Sequence, residues 1–375
     1  MPDPLFESLQ PASEESSRES IPPEPTHSLP DSNWEFPKPP QPGLGLAILI
    51  MLAIPVIQVV STVAYAVLVD RELLAYAAAG ELMERLEPGQ LARLLAFSQA
   101  MFVLMAFLGT WLVFRNRFSR VIPMSLPRAR HATIIVLVVL PLAVMDMYLI
   151  QKFFSYVESF GITPSEGDLP ALMDGLTAGT STWMLLAILA VAPALGEELV
   201  FRGVIGRGLV AQKGILFGIL WTSLLFSLVH GNPVQVVGVF FVGVMCHVAY
   251  LATRSLAAPV LLHFLNNSLA VMALKSQAAL TDAEALAAEQ GALSLSPWMA
   301  LAAAVCVLFL GSVLWQSRVE YRDANGESVP DDYPGVERPE TAVRQECRPV
   351  APVWLVLACL SYLLFLASAS LTIPA

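Results

Sequence analysis

The chain has 375 residues, 56% of them apolar and only 14% charged, with a mean hydropathy of +0.64. Soluble domains carry roughly 25% charged residues, so the composition argues against a water-soluble globule. A net charge of −10 without a basic stripe argues against nucleic-acid binding. Four cysteines with no CxxC pair read as small buried hydrophobes, not as a disulfide frame or thiolate metal site.

Residues 1–42 hold 11 of the 28 prolines and eight acidic residues against Arg18 and Lys38. So few aliphatics cannot offset the entropy of ordering, and the segment reads as a disordered tail. It lacks the basic start and short apolar stretch of a cleavable signal. From Gly43 onward long apolar runs alternate with short charged loops. A hydrocarbon core of ~30 Å takes ~20 helical residues to cross. On that rule nine runs are predicted to span: 43–69, 91–114, 132–154, 182–202, 214–231, 233–253, 256–274, 296–317 and 350–371. Trp111, Trp183, Trp298, Trp315 and Trp354 fall near their ends, where indoles favour the interface. Segment 71–90 is helix-prone but too charged to cross.

The predicted fold is all-α, a polytopic transmembrane helix bundle of about eight or nine spans behind the tail. Its parts are the tail 1–42, N-terminal spans in 43–180, a core at 181–275, and C-terminal spans with a charged loop in 276–375. Loop 115–131 carries Arg115, Arg117, Arg120, Arg128 and Arg130 with no acid, and loop 318–349 is arginine-rich as well. The positive-inside rule puts both in the cytoplasm, with the N-terminus, of a multi-pass protein of the plasma membrane. Loop 155–181, with Glu158, Glu166, Asp168 and Asp174, fits the outside.

An ionisable group in hydrocarbon costs ~2.5–3.5 kcal/mol or more, so each one calls for a reason. The exceptions gather between residues 193 and 267. Glu197 and Glu198 are adjacent in one run, followed by Arg202. On an α-helix Glu198 and Arg202 share a face and neutralise one another. Glu197 points ~100° away from Glu198 and lacks that partner. His230 ends the fifth run before Gly231-Asn232-Pro233. His263 and Asn267, four apart, lie on one helical face, with Asn266 turned off it as a structural amide. His247 reads as structural, and Asp146 stands alone in the third run.

Glu, His, His and Asn in a dry pocket suit hydrolysis of a carbonyl. Glu197 serves as general base on water, with His230 holding the water or relaying its proton. His263 and Asn267 then donate to the developing oxyanion, a role in which one donor is worth ~10²–10³ in rate. Straight helices put Glu197 and His263 at compatible depths but leave His230 at the outer end of its run. A kink at Pro193 and Gly196, or a re-entrant or shifted helix within 203–231, is needed to unite them.

Glu-Glu-x-x-x-Arg (197–202), Phe-x-x-x-His (226–230) and His-x-x-x-Asn (263–267), in that order on apolar runs, resemble the three motifs of the CPBP family of intramembrane proteases. This group includes the CAAX prenyl endopeptidases, the bacteriocin-processing Abi proteins and lysostaphin-resistance-like proteins. The resemblance covers about 181–275. It implies that Glu197 and His230 activate water, that His263 and Asn267 form the oxyanion site, and that Glu198 and Arg202 support them. The implied substrate is a membrane-associated or lipidated peptide, with membrane lipids as surroundings. No HExxH is present. Metal-free water activation is expected, chiefly because His263 and Asn267 pair as two donors, with zinc on Glu197, His230 and His263 as the alternative. A proton- or ion-coupled transporter also uses buried Glu, His and Arg, and a non-catalytic scaffold needs only small-residue packing such as Gly214-x-x-x-Gly218.

Overall fold

The computed structural model describes residues 41–161, 169–278, 295–329 and 342–370. The tail read as disordered lies outside the described residues up to position 40, as do parts of the three long loops.

Each apolar run becomes a helix, because in hydrocarbon a backbone can satisfy its polar groups only within itself. Helix α1 is Leu44–Leu68, and the charged segment after it forms the short helix α2, Glu72–Ala79, ended by Gly80 at φ 71°. Helix α3, Pro88–Phe114, starts at a reciprocal cap between Glu87 and Gln90. There follow α4, Ala129–Glu158, and α5, Leu169–Gly179. Then come α6, Thr182–Lys213, α7, Ile215–Leu228, α8, Pro233–Thr253, and α9, Ala257–Ala278. Helix α10, Pro297–Gln316, leads into strand β1, Val319–Arg322, which pairs antiparallel with β2, Arg344–Cys347, before α11, Pro352–Ser370. This two-stranded ribbon was not foreseen in the arginine-rich loop.

Among the described residues seven helices (α1, α3, α4, α6, α8, α9 and α10) are long and apolar enough to cross a membrane, and α7 and α11 are shorter apolar helices. The chain is thus an integral, multi-pass membrane protein. Two predicted boundaries need correction. The run drawn as 182–202 continues to Lys213, giving a 32-residue helix. Arg202, Gly203, Gly206 and Arg207 look like the end of a span in sequence, but all are buried inside the bundle. The run drawn as 214–231 is a helix of only 14 residues.

Two large apolar clusters, with two smaller ones beside them, hold the bundle. One joins α4, α8, α9, α10 and α11 around Val138, Leu142, Cys246 and Leu314. The other joins α1, α3, α6 and α7 around Phe102, Phe201, Ile205 and Phe226. Outward, Leu49, Val56, Val59 and Leu363 are exposed, as surfaces that meet lipid tails require. Cys359 is exposed with them and so is no buried hydrophobe, whereas Cys246 and Cys306 are buried. Trp183 and Trp298, at the starts of α6 and α10, are exposed, as interfacial indoles are.

The two arginine-rich loops meet at one end of the bundle. Arg128 donates to the Gln345 carbonyl at 2.8 Å. Arg254, after α8, donates to the Val319 carbonyl at 2.7 Å and lies 4.6 Å from the Tyr321 ring centre.

Candidate active site

Helix α6 carries the carboxylates at its middle, in Ala192–Glu198, between two wider π-helical stretches, Ala187–Val191 and Leu199–Gly206. Such insertions re-aim side chains and recur at functional sites. Glu198 and Arg202 are wholly buried, and the guanidinium donates to Glu198 Oε1 at 2.7 Å. A second Arg202 nitrogen donates to the Gly243 carbonyl of α8 at 2.8 Å, and the guanidinium stacks 4.5 Å from the Phe226 ring centre. His263 Nδ1 lies 2.9 Å from the same Glu198 oxygen. A carboxylate oxygen only accepts, so Nδ1 bears the hydrogen. Glu198 thus ties α6 to α9 while Arg202 ties α6 to α8. His263 Nε2 faces Glu197 Oε2 at 4.0 Å, and the Glu197 side chain is 14% exposed. That Glu197 oxygen has no hydrogen-bond partner.

The depth of His230 follows from the two corrected boundaries. Helices α6 and α7 form a hairpin turning at Gly214, where φ is +88°. Glu197 stands 17 residues before that turn and His230 16 residues after it. Counted along the chain, the two therefore stand nearly equally far from the hairpin tip. The arms lie close because Gly218 has no side chain: a Cβ there would fall 2.1 Å from a Val210 methyl. The shifted helix considered from the sequence is thus the one found.

His230 Nδ1 lies 3.0 Å from the Phe226 carbonyl. That nitrogen therefore carries the hydrogen, leaving the Nε2 lone pair of the neutral ring free to accept. Phe226 meets both imidazoles edge-on, with ring centres 5.5 Å from His230 and 5.6 Å from His263. It packs the two histidines and Arg202 around one aromatic side chain.

Glu197, His230, His263 and Asn267 all line one cavity of about 380 Å³. Asn267 Nδ2 donates to the Leu189 carbonyl in the first π-helical stretch at 3.0 Å, which leaves its second amide hydrogen. Asn266, expected to turn away, also borders the cavity, as do Gln58, Gln99 and Gln235. Those three glutamines were missed by the sequence reading, which weighed ionisable groups, although an amide in an apolar run is itself a signal. Asp146 and His247 are buried and do not line the cavity. A larger groove of about 1050 Å³ between α4, α8 and α10 holds no carboxylate or imidazole.

A zinc ion would need Glu197, His230 and His263 to draw onto one point. Each histidine does have its Nδ1 held by an acceptor, the usual outer support of a metal-bound imidazole. Yet among the described residues no three His, Cys, Asp or Glu side chains are gathered closely enough to hold a metal. The arrangement in hand does not fit the ion.

A comparison with protein families matches residues 179–269 to the one described as type II CAAX prenyl endopeptidase Rce1-like. Searches of curated proteins and of solved structures found no match. The matched segment runs from the start of α6 into α9 and contains every motif residue around the cavity, so this core is similar to the CPBP/CAAX family of intramembrane proteases.

Proposed function

We propose that the protein is an intramembrane endopeptidase that hydrolyses a peptide bond of a lipidated or membrane-associated substrate, of CAAX type or related. The observation that carries this reading is the single cavity shared by Glu197, His230, His263 and Asn267, fed from three helices. Glu197 takes the proton of a water held between its unpartnered oxygen and His230 Nε2. The resulting hydroxide attacks the scissile carbonyl, and the proton passes to the leaving amine.

The oxyanion that forms meets the free hydrogen of the Asn267 amide and His263 Nε2. His263 can donate there only with hydrogen on both ring nitrogens, since Nδ1–H is committed to Glu198. Glu198 and Arg202 act as positioning residues through His263 and Gly243. No metal is invoked. The arginine-rich end faces the cytoplasm, and the plasma membrane is the proposed location.

The test is Glu197→Gln. That variant is expected to fold and to lose cleavage of an S-farnesylated CAAX-type peptide by at least about 10²-fold, because an amide cannot take the water's proton. Full cleavage by the variant would remove Glu197 as the base. Metal analysis and chelation of active parent protein decide between water alone and zinc.

A further inference from the structure

Two polar side chains in the cavity wall lie outside the family-matched segment and outside all three motifs. Gln58 belongs to α1 and Gln99 to α3, whereas the match begins at residue 179. The pair is brought level by Ser98, whose hydroxyl donates to the Gln58 main-chain carbonyl at 3.5 Å. Gln99 Oε1 is buried and accepts no hydrogen bond. A buried acceptor without a partner is costly, and more so among apolar helices. Glu197 Oε2 is the other unpartnered acceptor bordering this cavity among the described residues, and the proposed reaction gives it water.

A peptide drawn into the cavity has the complementary problem, because its main-chain N–H and C=O groups leave water on entry. Where a site is walled by strands, a substrate can pair with the strand edge. Here the wall is helical, and the main-chain groups of α1 and α3 are largely spent within those helices, Pro55 leaving one carbonyl of α1 without its helical donor. Among the residues bordering the cavity, the side-chain amides offer a donor and an acceptor together, the pattern a peptide group requires. On the protease reading of this cavity, we propose that Gln58 and Gln99 form a clamp for the substrate main chain. Gln99 Oε1 accepts from a substrate N–H, and the Gln58 amide engages the neighbouring peptide group. Because it reads backbone, the clamp holds substrates irrespective of the side chains around the cleaved bond.

The test uses full-length Glu197→Gln protein in detergent and a fluorescent S-farnesylated CAAX-type peptide. Esters replace single peptide bonds in turn, so that each analogue lacks one N–H. One ester position is expected to weaken binding roughly three- to ten-fold, the worth of one hydrogen bond. Adding Gln99→Leu should weaken the all-amide peptide by a similar factor and abolish the penalty of that ester alone. Gln58→Leu should act the same way at an adjacent group. If the losses from Gln99→Leu and from every ester simply multiply, the clamp is overturned. If the peptide fails to bind protein that retains both glutamines, the protease reading itself falls, so the two failures are distinguished.

Discussion

At the scale of single residues, the site rests on how Glu198 is shared. One of its oxygens accepts from both Arg202 and His263, and the Glu198 and Arg202 side chains are wholly buried. Removing one partner of a buried ion pair leaves an uncompensated charge and costs about 3–5 kcal/mol. Glu198→Gln is therefore expected to lower the unfolding midpoint markedly, where Glu197→Gln does not. Thermal unfolding of the two purified variants beside the parent measures this, and equal midpoints would contradict it. The motif residues were legible because a charge in an apolar run is conspicuous. The partners of Glu198 were only half legible. Helical spacing gives Arg202, but nothing in the sequence reveals that His263 comes from 65 residues away to bind the same oxygen. Phe226 was read as part of a motif, and its contact with two imidazoles and a guanidinium belongs to the fold.

At the scale of elements, the α6–α7 hairpin determines which side chains meet. The sequence places helices where apolar residues run on, but it misplaced the end of α6 because Arg202 and Arg207 resemble a loop. Their burial is affordable only inside the bundle, where Glu198, Gly243 and the Phe226 ring surround Arg202. The same arginines hid the true length of α6, and with it the depth of His230. Gly214-x-x-x-Gly218, read from sequence as a packing motif, turns out to close the hairpin on itself. Gly218→Ala would press a methyl into Val210, including its backbone at 2.8 Å. Such overpacking costs about 1–3 kcal/mol. We expect a lower unfolding midpoint and a larger fractional loss of cleavage than of folded protein, because parted arms separate His230 from Glu197. Activity per folded molecule equal to that of the parent would show that the arms tolerate the methyl.

At the scale of the whole molecule, the all-helical bundle was legible from hydropathy alone, since the bilayer admits so few alternatives. The ribbon of β1 and β2 was not, because its strands are four residues each and are joined through charged sequence. Orientation is open to direct measurement. In a variant with its four native cysteines replaced by alanine, a cysteine at Asn116 should react with a membrane-impermeant maleimide only after permeabilisation. One at Asp174 should react in intact cells. The reverse pattern would invert the bundle. A transporter would spread its polar groups along a route through the membrane, whereas the motif residues here share one cavity, from which Asp146 and His247 are absent.

The hairpin also constrains how such a chain can change over time. Glu197 and His230 stay opposite one another because the two arms count almost equally from Gly214. Dropping one residue from either arm would swing the side chain at its far end by about 100° and slide it about 1.5 Å. Descendants of this gene can therefore lengthen or shorten the hairpin only by compensated steps, like a caliper whose jaws must be reset together.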